Sequence, residues 1–473
     1  MASKSKVFLN SEILKDEKGT ILKKGSFTIA LGYPAPYSVG ASSLGFQTVY
    51  RTLNNIDNIV CERFFLDTYT NREIKTVEGD RPVSSFDMVA FSVACETDLA
   101  KVAALLHAAN IPFFAEDRND RFPPVVIGGP LTLVDAKMAA PFADVIVAGE
   151  AEEALVIIGS ALKESRDKNE FLQILENSQH GIWVTKDETG PEIYQVPKSS
   201  LPAFGATWSK NAALKDLFLI EIARGCPHRC QFCLLAGTGK YRFVDIENLI
   251  PLIPDEATGV GLVGAAVTDH PALEEIVEKI VLQNKRVSLS SMRADRITEN
   301  LLMLLKKGGL QRLTVAADGS SQSIRDNIKK GIKDEDLINA ALLAKKTGLQ
   351  GMKIYSMVGL PDETFDDVKE FTKLLLELSK IISISVAVQS FVPKPNTPLC
   401  NAEMFEIKDL KERLSMIKKE AGKRVAVMPS SPKWSWIDWK LCNGGRSAAK
   451  IAVDAYKNKE TFAAWKEAIN KHL

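Results

Sequence analysis

The chain has 473 residues, 45% of them hydrophobic and 25% charged. These are the proportions of a globular protein, at a length that holds about three domains. Sixty basic against 59 acidic side chains leave a net charge of +1, which excludes a global field for nucleic acid or for an anionic membrane. Seven cysteines cannot all pair, no apolar run nears the ~20 residues that span a bilayer, and residues 1–6 lead into no signal-peptide core. Together these point to a reduced, cytoplasmic protein.

Residues 1–25 are weakly patterned and read as an N-terminal extension. A first domain is expected over 26–175. Its apolar run 27–31 ends at Gly32 and feeds a loop with Pro34, Pro36 and Gly40. Further strand-like runs at 59–65, 88–93, 125–127 and 145–147 alternate with helical patterns, as in a parallel sheet covered on both faces. Ligands of such sheets bind beyond the carboxyl ends of the strands. The loops there hold Tyr37, the stretch 95–98, Gly128-Gly129-Pro130 and Gly149-Glu150. A proline-containing connector spans 176–210. A second βα series fills 211–400, with strands at 218–222, 261–267, 287–290, 313–316, 353–358 and 383–388. Six such units exceed an open nucleotide fold and fall short of an eight-unit barrel. Residues 401–473 read as helical.

The first strand of the second series runs directly into Arg224-Gly225-Cys226-Pro227-His228-Arg229-Cys230-Gln231-Phe232-Cys233. Cys226, Cys230 and Cys233, spaced C-x3-C-x2-C on one loop, can converge on a soft metal centre, iron–sulfur or zinc. Zinc would need His228 as a fourth ligand from inside the tight loop, whereas structural zinc sites use separated pairs. A [4Fe–4S] cluster takes four thiolates in most proteins, so three cysteines leave one iron open to an exogenous ligand. Cys61, Cys95, Cys400 and Cys442 stand apart and read as buried or partly buried thiols, the alternative being ligands of a second cluster.

The triplet, with Phe232 before its last cysteine, resembles the motif of radical S-adenosylmethionine (SAM) enzymes. The resemblance implies a partial (β/α)6 barrel, a [4Fe–4S] cluster and SAM, which is cleaved reductively to a 5′-deoxyadenosyl radical. A reductant such as flavodoxin or ferredoxin is the implied partner. The later strand ends follow in the family's order and carry the implied SAM contacts. Gly264 and Ala265 stand where relatives hold the methionyl amine, although the usual Gly-Gly-Glu is absent. Ser291 and Arg293 end the third strand, Asp318 follows the fourth, and Gly359 lies in the turn after the fifth. Arg293 as a structural ion pair and Asp318 as a helix cap are the plainer readings. His270, at the barrel mouth, is a candidate proton donor or a loop residue. Trp434, Trp436 and Trp439 read as core or lid packing.

An α/β domain placed before such a barrel looks like the cobalamin (B12)-binding domain of one subfamily. Gly128, Gly129, Gly149 and Glu150 match that pattern, and Tyr37 or the backbone of its loop is what the resemblance leaves to approach the corrin's lower face. The Asp-x-His-x-x-Gly ligand motif is missing. The expected architecture is α/β: a Rossmann-like (flavodoxin-like) parallel-sheet domain, a partial (β/α)6 barrel and a helical C-terminal region. The expected reaction is cobalamin-dependent methyl transfer to an unactivated carbon of a small-molecule or peptide substrate. The alternatives are cobalamin-independent rearrangement, cyclisation or methylthiolation, and a non-catalytic electron-transfer module.

Overall fold

The computed structural model describes residues 10–70, 73–186, 189–236 and 240–473. The chain divides into two units, one of Met1–Leu219 with Lys440–Leu473 and one of Ile220–Trp439.

The first unit is built on six strands: β1 (Phe27–Tyr33), β2 (Ile59–Phe65), β3 (Met88–Ser92), β4 (Val125–Gly128), β5 (Val145–Val147) and β6 (Ile182–Val184). Their spatial order is β2-β1-β3-β4-β5-β6. The first five are parallel, and β6 runs antiparallel to β5. Every residue of β2 and β3 is buried, as a sheet covered on both faces requires. The 2-1-3-4-5 order is the flavodoxin-like one, whose crevice opens beyond the carboxyl ends of β1 and β3. Four helices cover it: α1 (Leu44–Asn54), α2 (Asp98–Ala108), α3 (Glu152–Glu164) and α4 (Lys168–Glu176). Phe46, Tyr50, Leu53, Ile158 and Phe171 lie in its core.

Within the stretch read as an extension, Asn10–Asp16 forms a helix and Glu17–Lys18 pairs antiparallel with Trp208–Ser209. Ile13 is fully buried there. Glu17 is buried as well, and it accepts from both terminal nitrogens of Arg63 at 2.5 and 3.0 Å.

The second unit carries β7 (Phe218–Glu221), β8 (Gly259–Val263), β9 (Arg286–Leu289), β10 (Arg312–Ala316), β11 (Gly351–Val358), β12 (Ile384–Ser390) and β13 (Val425–Pro429). They form the sheets β7-β8-β9 and β10-β11-β12-β13, linked by a parallel bridge from Met292 to Val315. Helices α5 (Leu273–Leu282), α6 (Glu299–Lys307), α7 (Asp334–Lys346), α8 (Phe365–Ile381) and α9 (Ile407–Ala421) follow β8 to β12 in turn. Along β11 burial alternates, with Ile354 and Ser356 buried and Tyr355 and Met357 half-buried, so the latter pair faces the barrel interior. Two details differ from expectation. β8 ends at Val263, because 264–266 turn sharply into the single helical turn Val267–Asp269. β13 adds a strand in the region read as helical.

The last helices, α10 (Pro432–Cys442), α11 (Ser447–Lys457) and α12 (Phe462–His472), complete the chain, and α11 packs on α2 and α12. Trp434, expected as packing, is 43% exposed. Among the described residues no helix is long and apolar enough to cross a membrane.

Candidate active site

The cysteine loop leaves β7 through a two-residue ladder, Ala223–Arg224 against Arg242–Phe243, which closes its base. Gly225 turns there at φ +80°, and a Cβ would lie 2.9 Å from the Lys240 carbonyl oxygen, so a glycine is required. The middle of the loop is tied from two sides. Gln231 donates its N–H to the Ile328 carbonyl at 2.9 Å and accepts from Leu399 N–H at 3.2 Å. Phe232 packs on the apolar cluster of Ile324, Ile328, Leu360 and Phe391. His228 Nε2 lies 3.0 Å from both carboxylate oxygens of Asp269, which pins the loop to the turn after β8.

Cys226, Cys230 and Cys233 line one cavity of about 390 Å³, within the ~300–1,000 Å³ of small-molecule sites. The wall comes from the carboxyl ends of the strands, where barrels keep their chemistry. It holds Ala265 after β8, Ser291 and Arg293 after β9, Asp318 after β10, and Tyr355, Ser356 and Met357 from β11. Burial pushes the Cys226 thiol up, opposed by a hydrogen bond from His228 N–H, and pushes up that of Cys230, opposed by the charge of Lys330. Both thiols must therefore lose a proton on metal binding. Among the described residues no three His, Cys, Asp or Glu side chains stand close enough to hold a single ion. Three thiols lining one cavity suit the soft iron of a cluster, and His228, the fourth ligand a zinc site would need, is already engaged by Asp269.

The charges beside the cysteines are organised. Lys330 Nζ lies 2.6 Å from Asp318 Oδ2. Arg293 donates to the carbonyls of Lys330 and Gly331 at 3.1 and 3.2 Å and pairs with Asp295. Asp318 sits at φ +60°, a conformation that Asp tolerates better than most residues. Gly359, at φ +82°, does not line the cavity. Its N–H donates to the buried carboxylate of Glu363 at 2.8 Å, which also accepts from Ser320 Oγ and from Arg413 Nε. Glu363 thus joins the loops after β10 and β11. Gly264 precedes Ala265 with no room for a side chain, since a Cβ would meet the Ala223 carbonyl at 2.9 Å.

His270 stands outside this group. It is buried; Nε2 is 2.9 Å from the Val244 carbonyl and Nδ1 accepts from Ala272 N–H at 3.1 Å. With both nitrogens held by backbone, it fixes a turn and is not a proton donor to the cavity.

In the first unit the residues read toward a corrin separate. Tyr37 is fully buried, its hydroxyl donating to Glu17 at 2.6 Å, so it cannot approach a ligand's lower face. Gly149, at φ +95°, and Glu150 are covered by the connector: Gly149 bridges Tyr194, and Glu150 accepts from Val196 N–H at 2.9 Å. Gly129 turns at φ +105° against the backbone of Val93. At the β1/β3 crevice stand Tyr33, Cys95, which is exposed, and Asp98. Burial pushes the Asp98 carboxyl up to about 6. Cys61 and Cys442 are buried and Cys400 half-buried.

Two family models match the chain: radical SAM proteins, N-terminal, over residues 45–184, and the radical SAM superfamily over 220–375, which contains the whole cysteine loop. The chain is a radical SAM enzyme. An uncharacterised protein of Methanocaldococcus jannaschii is 28% identical over 84% of this chain and 83% of its own length. An uncharacterised methyltransferase of Pyrococcus horikoshii is 25% identical over 59% of this chain and 63% of its own. The anaerobic magnesium-protoporphyrin IX monomethyl ester cyclase of Synechocystis is 26% identical over 41% of each chain. Among solved structures, the cobalamin-dependent SAM radical enzyme OxsB, with aqua-cobalamin and SAM bound, covers 94% of this chain and 70% of its own at 13% identity and a TM-score of 0.53. That likeness is one of fold and includes the N-terminal sheet domain.

The radical SAM family implies a [4Fe–4S] cluster and SAM. The cavity adds residues that motif reading passed over, Tyr355 and Ser356 on β11 and Gln389 on β12, beside Met357, which opens the motif containing Gly359. Alternation along β11 marks 355 and 357 as inward, and alternation along β12 marks Gln389; Ser356, on the opposite parity, had no such signal.

Proposed function

We propose that this radical SAM enzyme cleaves SAM at a cluster held by Cys226, Cys230 and Cys233, and uses cobalamin to methylate an unactivated carbon. The convergence of the three cysteines with Ser291, Arg293 and Asp318 on one cavity carries the reading. When bound, the cluster supplies the electron that breaks the sulfonium C–S bond, and cobalamin supplies the methyl group. The chain's part is positioning and the exclusion of water. Phe232 and its apolar neighbours shield the cluster loop. Arg293 and Lys330 offer positive charge, and Asp318 negative charge, to the zwitterionic end of SAM. Ser291 and Ala265 line the same wall.

The flavodoxin-like order and the fold likeness to OxsB, which binds cobalamin, support a corrin over the β1/β3 crevice, held by the backbone at Gly128-Gly129 and the loop 95–98. No His or Tyr of the first loop ligates it in this reading. Reduction comes from a flavodoxin or ferredoxin. The cover of the Gly149–Glu150 corner by residues 194–196 favours a second reading, radical chemistry without cobalamin.

Protein prepared anaerobically with cobalamin present is the test. The expected result is iron–sulfur and corrin absorbance together, with 5′-deoxyadenosine formed on adding SAM and dithionite, and both cluster absorbance and nucleoside lost in Cys230→Ala. Zinc in place of iron, or nucleoside release surviving in Cys230→Ala, overturns the SAM reading. Absence of corrin with intact nucleoside release selects the second one.

A further inference from the structure

A cavity of about 580 Å³ opens in the first unit, far in sequence from the cysteines and independent of them. It lies at the amino edge of the sheet. Asp144 directly precedes β5, and Thr185 follows the antiparallel β6. The crevice discussed for cobalamin is at the opposite, carboxyl edge.

Three buried side chains form its charged wall. Arg118 is 7% exposed. Its Nη2 donates to Asp144 Oδ2 and to the Phe142 carbonyl, both at 2.9 Å, and its Nη1 to the Pro112 and Phe113 carbonyls at 3.1 and 3.3 Å, which leaves Nε–H as the guanidinium donor with no hydrogen-bond partner among the described residues. Lys168 has an 8% exposed side chain, with Nζ 2.8 Å from Asp144 Oδ1, and beyond that ion pair the ammonium has no hydrogen-bond partner among the described residues. Asp144 spends one oxygen further on the Val125 N–H. Two buried cations thus share one carboxylate. Glu116 and Asp120, both exposed, also line the cavity, as do Lys186, Arg446 and Lys450, so five basic and three acidic side chains leave its lining at +2. An uncompensated charge out of water is costly unless an anion completes the group.

The rest of the wall points the same way. Lys450 stands exposed at the rim. Lys168 opens α4, whose first turn is capped by the Asp167 carboxylate accepting from Glu170 N–H at 2.9 Å, so the cation and not the helix end is what α4 offers the cavity. Phe114, stacked on Phe142 at 5.9 Å, gives an aromatic surface beside the cations.

We propose that this cavity binds a phosphate monoester with an apolar or aromatic body, its phosphoryl group on Arg118 and Lys168 and its body against Phe114. A dianion suits an excess of more than one positive charge better than a monocarboxylate does. The site is a binding site separate from the radical chemistry.

Calorimetric titration of the full chain with phenyl phosphate, inorganic phosphate and benzoate tests it. Phenyl phosphate is expected to bind tightest, and Lys168→Gln and the rim variant Lys450→Glu each to weaken it roughly tenfold, about 1.4 kcal/mol. 5′-Deoxyadenosine formation stays unchanged in both variants. If Lys168→Gln fails to fold, Lys450→Glu alone decides. No phenyl phosphate binding, equal binding of benzoate, or binding unaltered in the folded variants overturns the proposal.

Discussion

Gly225 shows how much of the site rests on single backbone positions. Its φ of +80° and the 2.9 Å approach to the Lys240 carbonyl leave alanine both strained and crowded, at about 1–3 kcal/mol. Because the strain falls one residue before Cys226, Gly225→Ala is expected to retain the fold and lose most cluster loading. Iron content and absorbance per chain measure this. The cysteine spacing, Ser291, Arg293 and Asp318 were legible in the sequence because each sits at a strand end whose order alone brings it to the barrel mouth. Tyr37 and His270 were not. Each was placed on a ligand-facing loop by sequence position, and in each case a local partner, Glu17 or the Val244 and Ala272 backbone, turned the side chain inward. A motif specifies the loop, while the rotamer follows from contacts distant in sequence.

At the scale of elements, strands were read well where runs are continuously apolar, as in β2 and β3. β13 was missed because its burial pattern alternates weakly at a sheet edge, with Val425 buried and Ala426, Met428 and Pro429 exposed. The segment Asn10–Lys18 shows a second limit. Polar sequence suggested a loose end, but Glu17 completes a charge network with Arg63, whose Nε lies 2.6 Å from Glu78. Removing the cation leaves two buried carboxylates facing one another, so Arg63→Ala is expected to destabilise the first unit by about 3–5 kcal/mol, read as a fall in its denaturation midpoint. Helix α2 carries a pH signature. Burial raises the Asp98 carboxyl to about 6, above the ordinary value near 4, so the folded state holds the proton more tightly than the unfolded one. That contribution is present below pH ~4 and is lost as pH rises through about 6. Asp98→Asn, which keeps an acceptor for the Cys95 N–H, is expected to be more stable than wild type at pH 7 by about 1–2 kcal/mol. The gap should close on acidification to pH 4; a gap constant between those pH values contradicts the assignment.

At the scale of the whole molecule, the barrel unit is inserted in the chain of the first unit, since Lys440–Leu473 returns to the unit formed by Met1–Leu219. Alternating βα patterns in sequence show two sheets but not that return, because amphipathic helices at a C-terminus can cover any apolar face. The structure specifies the face. α11 lies on α2, where the Tyr456 hydroxyl meets His107 Nδ1 at 2.8 Å and Glu460 pairs with Lys101. Ile451, Ala452 and Ala455 of α11 are fully buried. Each buried aliphatic side chain contributes roughly 1.5–3 kcal/mol when covered, and a domain's net stability is only ~5–15 kcal/mol. A stop after Trp439 therefore removes a large share of the first unit's stability while leaving every barrel strand in place. Hydrogen exchange on that truncated chain is expected to show α2 losing protection and β10 to β12 keeping it. Anaerobic reconstitution should still load the cysteine cluster. Retained protection in α2 would mean that the sheet holds the helix without α11.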